Sequence, residues 1–97
     1  MKQQPIITEE QQRTIDTLPL LNLTGIARVV RRDWRNVYFG AVPYLDALGT
    51  MDNIRDPYYM DSGSSVVAYF LANANTWKGN IARATKAELN KRLKNCR

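Results

Sequence analysis

The sequence predicts an all-α protein, a small single-domain bundle of four to five helices with one long loop. Apolar residues recur at helical spacing in several segments, and residues that start or stop helices bracket those segments. The longest uninterrupted apolar run, Val66 to Ala72, is far too short to span a bilayer. Ninety-seven residues leave room for one domain. It is read as residues 8–97 behind a flexible, polar N-terminal tail, residues 1–7, which Pro5 interrupts.

Thr8-Glu9-Glu10-Gln11 fits a capping box, in which the Thr8 and Gln11 side chains satisfy exposed backbone donors reciprocally. The helix it opens ends near Thr17, because Pro19 cannot continue it. A second helix runs from about Asn22 or Thr24 through Arg35. Leu23, Ile26, Ala27, Val30 and Trp34 share its apolar face, with Trp34 anchoring it in the core. Val37-Tyr38-Phe39-Gly40 reads as a brief extended segment or a turn. Pro43 suits the first turn of a third helix that runs to about Met51, with Ala41, Tyr44, Leu45 and Leu48 as its buried stripe and Gly49 as its terminator. Residues 50–63, rich in Asp, Asn, Pro and Gly, form the longest loop. A loop of that length in so small a domain is either functional or held down by its own aromatics.

The fourth helix starts near Ser64, capped by Asp61 or Ser62. Val66, Val67, Phe70, Leu71 and Ala74 make it the central core helix. Its β-branched residues would also permit a buried strand, but the length of the apolar segment favours a helix. A turn over residues 76–80 leads to the fifth helix, about Asn80 to Asn95, with Ile81, Thr85, Leu89, Leu93 and Cys96 on its apolar stripe.

The net charge of +5 is segregated. Residues 71–97 carry seven Lys/Arg against one Glu (+6), residues 1–36 carry six against four acids (+2), and residues 37–70 carry one against four (−3). All nine aromatics lie between Trp34 and Trp77, so the middle reads as core and the flanks as basic surface. Arg28, Arg31, Arg32 and Arg35 stand at i, i+3, i+4 and i+7, which aligns them on one helix face. Arg83, Lys86, Lys94 and Arg97 form a second stripe, with Lys78 just before it. Organised cationic faces suit an anionic partner; the plainer alternative is a solvated helix whose cations complement its C-terminal dipole.

Histidine is absent, which removes Ser–His and Cys–His dyads and the common zinc sites. Cys96, the single cysteine, is read as a small apolar residue of the last helical turn and fits a reducing compartment. Asp52, Asp56 and Asp61 share one loop with Tyr58 and Tyr59, but their spacing follows no metal-loop formula, and turn or cap roles account for them. Asp61-Ser62-Gly63-Ser64-Ser65 lacks the lysine and glycine spacing of a phosphate loop. Trp77-Lys78-Gly79-Asn80 could stack on a base, or Trp77 could close the core. The last two helices form a hairpin whose Lys78, Asn80 and Arg83 suit a helix-turn-helix contact, although the link is longer than usual for that motif. No catalytic residue, metal site or cofactor is assigned.

Residues 37–48, Val37-Tyr38-Phe39-Gly40-Ala41-Val42-Pro43-Tyr44-Leu45-Asp46-Ala47-Leu48, and residues 61–79 resemble small uncharacterised proteins carried by bacterial phages, prophages and plasmids, a likeness that covers roughly residues 33–93. The resemblance implies a mobile-element origin and an accessory role, and it transfers no functional residue.

The expected function is therefore a small basic non-enzymatic protein that engages nucleic acid or a nucleoprotein complex through two basic faces. Its contact residues would be Arg28, Arg31, Arg32, Arg35, Lys78, Arg83, Lys86, Lys94 and Arg97. The alternative is an inhibitor or modulator of a host defence or replication factor, binding through the basic face and a loop anchor of Tyr58, Tyr59 and Met60. A homodimer is left open. The N-terminus lacks the apolar core of a signal peptide, and the expected location is cytoplasmic, with no membrane partner.

Overall fold

The computed structural model describes residues 6–59 and 61–96. In chain order these form α1 (Glu9–Thr17), α2 (Leu23–Asp33), α3 (Val42–Leu48), β1 (Pro57–Tyr58), β2 (Asp61–Ser62), α4 (Gly63–Ala72) and α5 (Asn80–Asn95). Short 3-10 turns at Leu18–Leu20 and Phe39–Ala41 lead out of α1 and into α3. The fold is a small α-helical bundle with one long connection. Residues 1–5, most of the expected tail, lie outside the described residues. Ile6 is tied to the body, its carbonyl accepting from Asn80 Nδ2 at 3.2 Å.

Local signals set most boundaries. The capping box forms in full at Thr8 and Gln11. Asn22 caps α2 by accepting from the Gly25 amide at 2.8 Å, and Ser62 caps α4 by accepting from the Ser65 amide at 3.2 Å. Two helices end earlier than their periodicity implies. α3 stops at Leu48 instead of running to Met51, because the Thr50 hydroxyl bonds back to the Ala47 carbonyl at 2.8 Å and Met51 turns inward. The Met51 carbonyl then accepts from the Thr24 amide at 2.9 Å, and the Asp52 carbonyl from the Leu23 amide at 3.1 Å. The loop thereby satisfies first-turn donors of α2 that no helical carbonyl can reach. α2 stops at Asp33, so Arg35 lies beyond the helix. Trp34 leaves helical geometry there to lay its ring flat on Trp77, with centroids 5.7 Å apart and planes 9° from parallel.

The expected loop contains a hairpin. Strands β1 and β2 pair antiparallel, Pro57 with Ser62 and Tyr58 with Asp61. So short a ladder leaves almost no alternating pattern to read. Its base is fixed by Asp56, whose carboxylate accepts from the Asp52 and Asn53 amides at 3.2 and 3.0 Å and whose carbonyl accepts from the Gly63 amide at 2.8 Å.

The core is built from Leu18, the inner face of α2, Ala41, Leu45 and Leu48 of α3 and its approach, Val66, Val67 and Phe70 of α4, and Ile81, Thr85 and Leu89 of α5. The helix α4 packs on α3 and α5 through Val66, Val67 and Phe70 while exposing Ala68, Tyr69 and Ala72, and α5 meets α1, α2 and α4. Arg92 fastens α5 to the end of α1. Its guanidinium donates to Glu88 at 2.8 Å and to the Leu18 carbonyl at 3.0 Å, with both ion-pair partners largely covered.

Candidate nucleic-acid interface

The outer side of α2 presents Arg28, Arg31 and Arg32, all exposed, while Leu23, Ile26, Ala27, Val29 and Val30 are buried beneath them. A helix so divided is anchored by its apolar face, which leaves its arginines at the surface. Arg28 and Arg31 line a groove between α2 and α3 with Thr24, Asp46 and Thr50. Arg32 points the other way, into a cleft with Glu10, Gln11 and Ile81. Arg31 donates to the Asp46 carboxylate of α3 in an exposed ion pair. Among the described residues, Arg28, Arg32 and Arg35 enter no ion pair.

The second basic stripe is less open. Lys86 Nζ donates to the Trp77 carbonyl at 2.7 Å and sits 6.0 Å from that ring's centroid. Burial, followed by the nearby Lys78, holds its pKa below the ordinary 10.5. Lys86 therefore serves the tryptophan pair and is not the free surface cation that its helical position implies. Arg83, Lys78 and Lys94 are exposed. Lys94 lies farther along α5, in a groove against Ser64, Ser65 and Ala68 of α4. Arg97 and Met60, both named from sequence, lie outside the described residues.

The tryptophan pair joins the two basic segments. Trp77 is 2% exposed, stacks on Trp34 and donates its indole N–H to Asp33 at 2.8 Å. Arg35 and Lys78 each follow one member of that pair in the chain. Trp77 thus closes the core and offers no face to a base. Asn80 is similarly occupied, its amide donating to Ile6 and to Gln11 at 3.2 and 3.3 Å, which removes it from a helix-turn-helix reading of α5.

The hairpin tip places Tyr58 half-buried and Tyr59 90% exposed, the two rings edge-to-face at 4.8 Å. Tyr59 has φ 54°, the left-handed conformation demanded by a two-residue hairpin turn. Two of the loop acids, Asp52 and Asp56, have structural partners. Asp56 binds loop amides, and Asp52 accepts from Asn22 at 3.2 Å. Among the described residues no three acidic or thiol groups converge as a metal site. No helix described is long and apolar enough to cross a membrane.

Sequence reasoning read the aromatic middle of the chain as core, with Tyr58 and Tyr59 as a candidate interface; Tyr38, Phe39 and Tyr69 are exposed as well as Tyr59. It also missed Arg92, for which the Glu88–Arg92 spacing of four was the available signal. No protein-family model, curated protein or solved structure matches the chain.

Proposed function

We propose that this protein is a non-enzymatic nucleic-acid-binding protein whose principal contact surface is the arginine face around α2. One observation carries the reading: Arg28 and Arg31 are exposed on the α3 side of a helix whose inner face is buried, Arg32 is exposed on its other flank, and Arg28, Arg32 and Arg35 enter no ion pair among the described residues. Arginine suits phosphate because its planar fork donates two parallel hydrogen bonds and stays charged. Lys78 and Arg83 extend the surface past the tryptophan pair; Lys86 contributes through its ring contact and not as a free cation. The test is fluorescence anisotropy of labelled DNA with wild type and an Arg28→Gln/Arg32→Gln/Arg35→Gln variant, which leaves the Arg31–Asp46 pair intact. Loss of binding with unchanged helicity supports the reading, and undiminished binding removes it.

A second reading, a modulator of a host protein, rests on Tyr59 projecting from the hairpin tip. A Tyr58→Ala/Tyr59→Ala variant that loses a defined protein partner while retaining nucleic-acid binding would favour it.

A further inference from the structure

Phe39 is 80% exposed, and its exposed neighbours Tyr38 and Val42 leave an apolar surface that folding does not use. Tyr38 also approaches the residue that follows α4. Tyr38 lies over Gly40 beside the Asn73 side chain, Asn73 donates to the Tyr69 carbonyl at 2.8 Å, and Tyr69 packs on Tyr44 with ring centroids 5.4 Å apart. Isolated apolar residues on a surface are ordinary, but Tyr38 and Phe39 stand ring against ring with Val42 exposed beside them.

The patch also adjoins the arginine face. Arg31 reaches Asp46, Asp46 and Val42 are one turn apart on the outer side of α3, and Phe39 opens the 3-10 turn that runs into that helix. Along the chain, Arg35 and Phe39 are four residues apart, at most about 14 Å between Cα atoms. Arg31 and Arg35 thus stand near the open rings at the start of α3. In a duplex the base faces are stacked on one another and unavailable, whereas a single strand offers both phosphates and free base faces.

Resting on the nucleic-acid reading above, we propose that the ligand is single-stranded, its phosphates held by Arg28, Arg31 and Arg35 and its bases stacking on Phe39 and Tyr38. The tilted Tyr38–Phe39 contact, 4.7 Å between centroids at 53°, supports the Phe39 ring from one side and leaves most of it to solvent. Charge complementarity with a polyanion selects this occupant over a second copy of the chain, which would bring the same arginines against one another.

The experiment compares a labelled 20-nucleotide single strand with the corresponding duplex at equal salt, using wild type, Phe39→Ala, Phe39→Trp and the triple arginine variant. The expected result is preference for the single strand and a loss of about 5- to 150-fold in Phe39→Ala. Duplex binding should be unchanged in that variant, and the Phe39→Trp fluorescence should be quenched on adding the single strand. Equal binding of both forms, insensitive to Phe39→Ala but lost in the arginine variant, overturns the stacking proposal and leaves the nucleic-acid reading standing. No binding of either form by wild type overturns both. Sedimentation showing a wild-type dimer that Phe39→Ala converts to monomer would assign the patch to self-association and also overturn the proposal.

Discussion

Thr85 occupies the inner stripe of α5 between Ile81 and Leu89, fully buried, and its hydroxyl has no hydrogen-bond partner among the described residues. An unpartnered buried hydroxyl costs about 1–3 kcal/mol, and valine has nearly the same shape without it. Thr85→Val is therefore expected to stabilise the fold by about 1 kcal/mol, raising Tm by roughly 4–8 °C for a domain of this size. A lowered Tm would mean that the hydroxyl is satisfied after all. Lys86 illustrates a polar group used differently. Because burial and then Lys78 lower its pKa, the unfolded chain holds this proton more tightly than the fold does. The penalty from Lys86 is present at neutral pH and shrinks as pH rises toward 10.5, so its contribution to stability increases with pH in that alkaline window. NMR titration of the Lys86 side chain should find a pKa below 10.5, and Lys78→Gln should move it upward. No movement would exclude Lys78 as a cause.

Helix caps and breakers were legible one element at a time. The Thr8 box, the Pro19 stop, the Ser62 cap and the bounds of α5 all depend on residues within one turn of the boundary, and sequence spacing captures such interactions. The ends of α2 and α3 were not legible, because tertiary partners decide them: Trp77 draws Trp34 out of the helix, and the α2 N-terminus captures the carbonyls of Met51 and Asp52. The hairpin was missed for a similar reason, since its register depends on Asp56 and on how closely the loop approaches α4. Gly63 marks that approach. A Cβ there would lie 2.4 Å from the Ile54 carbonyl oxygen and 2.8 Å from Met51 Cε. The first neighbour is backbone and cannot swing away. Gly63→Ala is expected to destabilise the protein by about 1–3 kcal/mol, read as a fall in the urea midpoint. An unchanged midpoint would show that the loop can shift freely from α4.

Across the whole molecule, helical spacing in the sequence put four arginines on one face of α2, whereas the fold turns Arg32 to the other flank, leaves Arg35 beyond the helix and engages part of the basic stripe on α5. Helical spacing identifies which residues share a side; it does not reveal which of them the fold has already engaged, as with Lys86 and Arg92. The aromatic patch was invisible for a related reason, because a cluster of aromatics in sequence reads as core until packing leaves some outside. What remains is a helix with exposed arginines on both flanks, near exposed rings and joined through a tryptophan stack to further cations. The most direct test of its role is the salt dependence of single-stranded DNA binding, measured by anisotropy for wild type and for Arg28→Gln/Arg32→Gln/Arg35→Gln. Each phosphate contact contributes about 0.7 to the log–log slope for a single strand, so removing three contacts should flatten the slope by about 2 and weaken binding at low salt. Identical slopes and affinities for the two proteins would contradict the assignment of this face to nucleic acid.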